Sequence, residues 1–152
     1  TLWKDHVKMF LGGQMVDIES EGKDIDLPTL QYIHTHKTGK LLMLPIECAC
    51  VIAGINSEKR DVLKRYAELI GLAFQIKDDI LDIEGTFEEI GKPVGSDKEL
   101  MKSTYPSIFG MEKTKEILTE KVEEAKKIMF DAFGDKAIWH IKLADYIGNR
   151  RK

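Results

Sequence analysis

Residues 74–82 read Phe-Gln-Ile-Lys-Asp-Asp-Ile-Leu-Asp, and they follow an apolar stretch in a predicted helix that opens at Ser57. At about 100° per residue, a helix gathers the polar side chains of this stretch on one strip: Gln75, Asp78, Asp79 and Asp82. Leucine, isoleucine and phenylalanine cover most of the remaining circumference, which is typical of a helix inside a protein. The segment therefore predicts an interior helix with carboxylates along one side.

The carboxylates of this strip favour a cation. Burying acids side by side is costly unless a positive charge pairs with them. They also occupy the last turns of the predicted helix, where the helix dipole is negative. One or two carboxylates suit Mg²⁺, which keeps several waters and bridges to phosphates. Acids that simply face solvent are the alternative, but the apolar flanks favour a site for Mg²⁺ or Mn²⁺ at Asp78, Asp79 and Asp82.

The rest of the sequence also predicts helices, and no stretch alternates as a strand would. The predicted helices cover 1 to about 20, 26 to about 53, 57 to about 84, a short piece from 104, 112–133, and 137 to about 147. Gly12-Gly13 indicates a kink or a close approach by another element. Pro45 is expected to bend the second helix, and Ser57 to cap the third. Residues 85–102 resemble a loop, so the chain is predicted to be all-α.

Composition excludes several classes of protein. The 152 residues carry a net charge of −3, which gives no electrostatic case for binding nucleic acid or an anionic membrane. No apolar run approaches the roughly 20 residues that span a bilayer. Cys48 and Cys50 would point in different directions around a helix, so a disulfide between them is not expected. A reduced, cytoplasmic compartment is the default.

Lysines supply candidate partners for an anion. Lys37 precedes Thr38 in the second helix, and Lys92 and Lys102 lie in or at the end of the glycine-containing loop. Lysine is a point-charge ligand for phosphate, although each of these residues taken singly is an ordinary solvated lysine. His34 and His36 at i and i+2 do not share a helix face. We expect both histidines to be surface residues without a metal.

Four collinear motifs change the interpretation of these single features. They are Gly-Gly-Gln-x-x-Asp at 12–17, Lys-Thr at 37–38, the aspartate motif at 74–82, and Gly-Lys-x-x-Gly-x-Asp at 91–97 followed by Lys-Ser-Thr-Tyr-Pro at 102–106. Together they resemble the trans-prenyl diphosphate synthases, the farnesyl diphosphate synthase family, in its short-chain bacterial form. Met101 stands where the family commonly has glycine. The resemblance extends from Gly12 to about Asn149, nearly the whole chain.

The resemblance implies the fold and the extent of the domain. The family has an all-α helical bundle, the isoprenoid synthase fold, and the complete enzymes form homodimers. Its first aspartate-rich motif lies upstream of the Gly-Gly-Gln helix, and no such motif occurs in this chain. We therefore expect residues 1–152 to form a single partial domain, the carboxy-terminal half of the bundle, and to be inactive alone.

The resemblance also implies the reaction and the role of each residue. Enzymes of this family condense an allylic diphosphate with isopentenyl diphosphate and require Mg²⁺. By analogy, Asp78 binds the metal with support from Asp79 and Asp82, whereas Lys37, Lys92 and Lys102 contact diphosphate. The expected lining of the substrate cavity is Gln14, Asp17, Thr38 and Gln75. Lys37, Asp78 and Lys92 are the residues expected to carry catalysis.

Two alternatives to a condensing enzyme remain. A helical terpenoid synthase that cyclises its substrate is disfavoured, because the Lys37-Thr38 and Lys92 pattern belongs to the condensing enzymes. A non-catalytic regulatory or structural subunit could keep the fold. The intact aspartates and lysines argue against such a loss of activity.

Overall fold

Helices account for all the regular structure of the described residues. A computed structural model describes residues 2–23, 25–84 and 103–151, and within these ranges it contains no strand. The helices are α1 (Leu2–Glu19), α2 (Leu27–His34), a π-helical turn (Thr35–Gly39), α3 (Lys40–Ile52), α4 (Ser57–Glu84), α5 (Tyr105–Phe109), α6 (Met111–Phe133), a 3₁₀ turn (Gly134–Ala137) and α7 (Ile138–Asn149). The prediction of an all-α fold is confirmed. The predicted loop over 85–102 lies outside the described residues.

Polar side chains cap the helices that flank the candidate site. Asp26 precedes α2, and its Oδ1 accepts the backbone N–H of Thr29 at 3.0 Å. Thr104 precedes α5 and forms a reciprocal capping box with Ser107. These bonds satisfy backbone N–H groups that have no partner inside the helix. Both predicted helix starts are therefore confirmed.

The junction between α3 and α4 corrects one predicted cap. Gly54 follows α3 with a φ of 61°, in the left-handed region that glycine adopts without strain. Asn56, not Ser57, caps α4, because the Asn56 Oδ1 accepts the backbone N–H of Lys59 at 3.0 Å. Asparagine is as favourable an N-cap as serine, so the sequence pattern left the boundary uncertain by one residue.

The second predicted helix is interrupted by the π-helical turn. Within this turn the N–H of Lys40 donates to the carbonyl of Thr35, five residues earlier. The prediction of one continuous helix from 26 to about 53 is wrong: Pro45 lies inside α3, and the departure from α-helical geometry comes earlier, at Thr35–Gly39. Single π turns often mark functional sites because they re-aim the side chains that follow. This turn carries Lys37 and Thr38.

Glycines bring three elements into backbone contact around this turn. A Cβ at Gly13 of α1 would lie 2.6 Å from the Lys37 nitrogen and 2.8 Å from the His36 carbonyl carbon. A Cβ at Gly71 of α4 would lie 3.3 Å from the Cα of Gly39. The close approach predicted at Gly12-Gly13 is therefore confirmed. It fixes the π turn between α1 and α4.

Helix α4 is the central element and packs most extensively on α6. The α6 residues facing the core recur at three- and four-residue spacing: Leu118, Val122, Ala125 and Met129. They belong to the same buried cluster as six residues of α4: Tyr66, Leu69, Ile70, Ala73, Ile76 and Ile80. Fully burying one large aliphatic side chain stabilises a fold by about 1.5–3 kcal/mol. This packing holds one side of α4 and leaves its carboxylate strip facing α1, the π turn and α5.

Two further expectations are tested by the described residues. Cys48 is exposed and Cys50 is buried, and both are free thiols. Among the helices of the described ranges, none is both long and apolar enough to cross a bilayer.

Candidate active site

A cavity of about 140 Å³ lies where α1, α2, the π turn and α4 meet the start of α5. Each of these elements contributes polar side chains to its wall. The lining residues that matter for the chemistry are Asp17, Lys37, Gln75, Asp78, Asp79 and Thr104. The fold thus brings together residues that lie in four separate parts of the sequence.

Lys37 is held by an ion pair across the cavity wall. Its Nζ donates to Asp17 Oδ2 at 2.7 Å, which joins the π turn to α1. The Lys37 side chain remains 32% exposed, whereas that of Asp17 is 15% exposed. The ammonium group is therefore oriented by a carboxylate and still accessible to an anion. An anion in the cavity would meet a charge that is already in place.

Asp78 is the more exposed of the two neighbouring aspartates on the cavity wall. Its side chain is 44% exposed, and its Oδ1 forms an ion pair with Arg150, which follows α7. Arg150 also donates to the carbonyl of Phe74 at 3.1 Å and lies 4.1 Å from the centre of the Phe74 ring. Arg150 is not among the predicted site residues. It belongs to the basic run at 150–152, and no local sequence pattern relates it to Asp78, 72 residues earlier.

Asp79 is buried and engaged with the backbone of α5. Its Oδ2 accepts the N–H of Tyr105 at 2.8 Å. This bond satisfies a buried donor in the first turn of α5 and ties that turn to the end of α4. Asp79 therefore positions the α5 side of the cavity, whatever else it binds.

The remaining predicted site residues lie at different depths. Asp82 is 1% exposed and does not line the cavity. Gln14 and Thr38 are half-buried, and neither is among the lining residues. Lys92 and Lys102 lie outside the described residues. The carboxylate strip therefore divides, with Asp78 and Asp79 at the cavity and Asp82 in the interior.

The expectation that His34 is a surface residue is wrong. His34 is 6% exposed, lines the cavity and stacks on Tyr105 with ring centres 5.6 Å apart. The pKa of His34 is lowered to about 4, chiefly by burial; Asp17 opposes this shift and Lys37 adds to it. Nδ1 of His34 has no hydrogen-bond partner within the part of the chain that the structure describes. The spacing of Leu30, Ile33 and His34 already indicated an inward position.

Comparison with known proteins places this site in a family. Residues 1–133 match the family model described as polyprenyl synthetase. The chain belongs to the polyprenyl synthetase family.

Similar proteins of this family carry related names. The chain is 46% identical over 140 residues to dimethylallyltranstransferase of Fischerella ambigua. This alignment covers 91% of the chain and 40% of that protein. It is 45% identical over 127 residues to farnesyl diphosphate synthase of Geobacillus stearothermophilus, in an alignment that covers 84% of the chain and 43% of that protein. The crystal structure of an FPP/GFPP synthase from Zymomonas mobilis superposes with a TM-score of 0.76 at 34% identity. The superposition covers 91% of this chain and 45% of the Zymomonas chain. The chain thus spans less than half the length of these relatives.

The donor set of this polyprenyl synthetase chain can be tested against a divalent metal. Within the described ranges, no group of three or more His, Cys, Asp or Glu side chains is arranged to hold a metal ion. Asp78 and Asp79 nevertheless adjoin one cavity, and Asp78 is substantially exposed. Mg²⁺ is commonly bound by one or two carboxylates together with waters and substrate phosphates. The residues fit a metal shared with a phosphate better than a closed protein cage.

Proposed function

We propose that the chain supplies the carboxy-terminal half of a prenyltransferase active site, which condenses an allylic diphosphate with isopentenyl diphosphate. The observation that carries the proposal is the single cavity lined by Lys37, Gln75 and Asp78. Membership of the polyprenyl synthetase family supports it, as do the names of the similar proteins. The proposed activity is that of a complete enzyme in isoprenoid biosynthesis.

The cavity residues match the charge changes of this reaction. Breaking the allylic C–O bond leaves an allylic cation and increases the negative charge on the departing diphosphate. The isopentenyl double bond then attacks the cation, and loss of a proton completes the product. Lys37 would contact the diphosphate, oriented beforehand by Asp17. Gln75 would line the allylic side, where its dipole can face the developing cation.

Asp78 is the residue that we propose to hold the divalent metal, Mg²⁺ or Mn²⁺. When bound, such a metal neutralises charge on the diphosphate as a Lewis acid. Asp79 would support this site directly or through water while it also holds the first turn of α5, and Asp82 would support it from the interior. We further propose that Lys92 and Lys102 add positive charge around the diphosphate.

Other properties of the complete enzyme follow the same proposal. It would be a cytoplasmic homodimer, and this chain alone would be inactive because it spans less than half the length of its relatives. A non-catalytic regulatory or structural subunit is the second candidate. The presence of Lys37 and Asp78 at one cavity favours the enzyme, because a structural role has no need of an accessible lysine and an accessible aspartate there.

A chimera tests the proposal directly. This chain would replace the matching segment of the farnesyl diphosphate synthase from Geobacillus stearothermophilus, and product would be measured from radiolabelled isopentenyl diphosphate. We expect product only in the presence of Mg²⁺ or Mn²⁺, and none from the isolated chain. A chimera that folds, as judged by circular dichroism and size, yet makes no product would support the non-catalytic alternative.

A further inference from the structure

We infer that Arg150 is a resident counter-cation of Asp78, which a divalent metal must displace before Asp78 can act as its ligand. This inference rests on the proposed function, because it takes Asp78 as the metal-binding aspartate. It adds a residue that sets how tightly the metal binds and that lies outside every motif of the sequence analysis.

Several contacts fix Arg150 in this position. Its side chain is only 8% exposed although it follows the last helix of the chain. One guanidinium nitrogen, Nη2, donates both to the carboxylate of Asp78 and to the carbonyl of Phe74. The guanidinium also lies over the Phe74 ring, a cation–π geometry that strengthens when water is excluded. The Arg150 backbone N–H donates to the carbonyl of Tyr146 at 2.8 Å, which anchors its main chain.

Electrostatics makes Arg150 and a metal competing partners of Asp78. Arg150 already holds Oδ1 of this carboxylate, and two cations within a few ångströms repel each other strongly in a partly desolvated site. By thermodynamic reciprocity, whatever Arg150 gains from Asp78 is lost from the affinity of the metal.

The consequence is a threshold for metal binding. Asp78 lies near the carboxyl end of α4, where the helix dipole adds negative charge and would otherwise attract a cation. Arg150 satisfies that charge in the absence of metal. A metal that arrives with a diphosphate gains phosphate oxygens as additional ligands, and it can therefore overcome the competition that a metal alone does not. Arg150 favours loading of the metal together with the diphosphate.

The residue next to Arg150 provides a matched control. Arg151 carries the same charge, but it is exposed. Replacing either arginine with glutamine changes the net charge of the chain equally. Only the Arg150→Gln change removes the partner of Asp78, so a general effect of charge on cation binding can be separated from the specific one.

The experiment is a Mn²⁺ titration of the chain, followed by the electron paramagnetic resonance signal of free Mn²⁺, with and without inorganic diphosphate. The proteins are the native chain, Arg150→Gln, Arg150→Lys, Arg151→Gln and Asp78→Asn. Without diphosphate we expect Arg150→Gln to bind Mn²⁺ roughly three- to tenfold more tightly than the native chain, and Arg151→Gln to stay within about twofold. Arg150→Lys keeps the charge but loses the planar guanidinium group, so its Mn²⁺ affinity should lie between those of the native chain and Arg150→Gln. Diphosphate should reduce the difference between Arg150→Gln and the native chain.

The outcomes separate this inference from the proposed function. Asp78→Asn should weaken Mn²⁺ binding; if it does and Arg150→Gln binds no more tightly than the native chain, Asp78 remains the ligand and the role of Arg150 is wrong. Unchanged binding in Asp78→Asn would overturn both statements. Circular dichroism of each variant identifies any that fails to fold, and Arg150→Lys then decides the question with the smaller change in packing.

Discussion

The two halves of α4 treat similar residues in opposite ways. In the first half the charged residues Glu58, Asp61, Arg65 and Glu68 are exposed. In the second half Gln75 and Asp78 are half-buried, while Asp79 and Asp82 are buried. The first half has solvent beside its polar strip, whereas the second half meets α1, the π turn, α5 and Arg150. What faces the strip, rather than its composition, turns a row of acids into a candidate site.

Replacing one aspartate from each half of α4 is the test with the largest expected difference in turnover. In the chimera, Asp78→Ala should lower turnover on the order of 100- to 1000-fold, the loss typical of removing one charge-stabilising group from an active site. Asp61→Ala, on the exposed surface of the same helix, should leave turnover within about twofold. Steady-state rates with radiolabelled isopentenyl diphosphate measure both. Equal effects of the two changes would show that the cavity is not where the chemistry occurs.

A buried histidine opposite the second half predicts a larger pH dependence than the exposed charges do. Because the pKa of His34 is about 4 when folded and near 6.5 when unfolded, the unfolded chain binds a proton more readily between these values. Protonation of the unfolded chain at His34 therefore lowers the free energy of unfolding as the pH falls from 6.5 towards 4, whereas above pH 6.5 His34 is neutral in both states and causes no loss. The loss amounts to about 3 kcal/mol at most.

His34→Phe tests this effect because phenylalanine can keep the stack on Tyr105 while removing the titrating group. We expect its free energy of unfolding to fall less than that of the native chain between pH 6.5 and 4, measured by urea denaturation. His36→Phe, on the half-exposed ring that stacks on Tyr32, is the matched control. Identical pH profiles for His34→Phe and the native chain would mean that His34 is not held neutral in the fold.

The glycine pair of α1 tests how the second half obtains its neighbours. A methyl group at Gly13 would collide with the backbone at His36 and Lys37, whereas one at Gly12 would meet only the Tyr32 hydroxyl at 3.6 Å. Gly13→Ala should therefore lower the free energy of unfolding by about 1–3 kcal/mol, as overpacking does. Gly12→Ala should leave it unchanged or raise it, since alanine favours a helix. Urea unfolding of both variants decides this, and equal stabilities would contradict the backbone contact.

The sequence predicted what depends on local spacing. The period of apolar residues located α4 and α6, and the aspartate strip located Asp78 at its cavity. Spacing could not tell that the Tyr105 N–H would engage Asp79, or that Asp82 would lie away from the cavity, because these depend on elements distant in sequence. Arg150 was missed for the same reason. His34 was missed for a different reason. Its spacing from Leu30 and Ile33 indicated a buried position, but a polar side chain was expected at the surface.

The smallest expected effect belongs to an ion pair of the first half of α4. Arg65 donates to Glu124 of α6 at 2.7 Å and lies 3.4 Å from Glu68, but its side chain is 51% exposed. The hydrogen bond from Arg65 holds the pKa of Glu124 below its usual range, so the pair stabilises the fold above the unfolded pKa of Glu124 and is lost as the pH falls through the lowered value. Exposed pairs of this kind contribute about 0.2–1 kcal/mol. Arg65→Gln should cost no more than that in urea unfolding at pH 7, and the difference should vanish in about 1 M salt, where the screening length is about 3 Å. A larger, salt-resistant loss would mean that the first half of α4 also contains a desolvated charge site, and that the contrast between its two halves is one of degree.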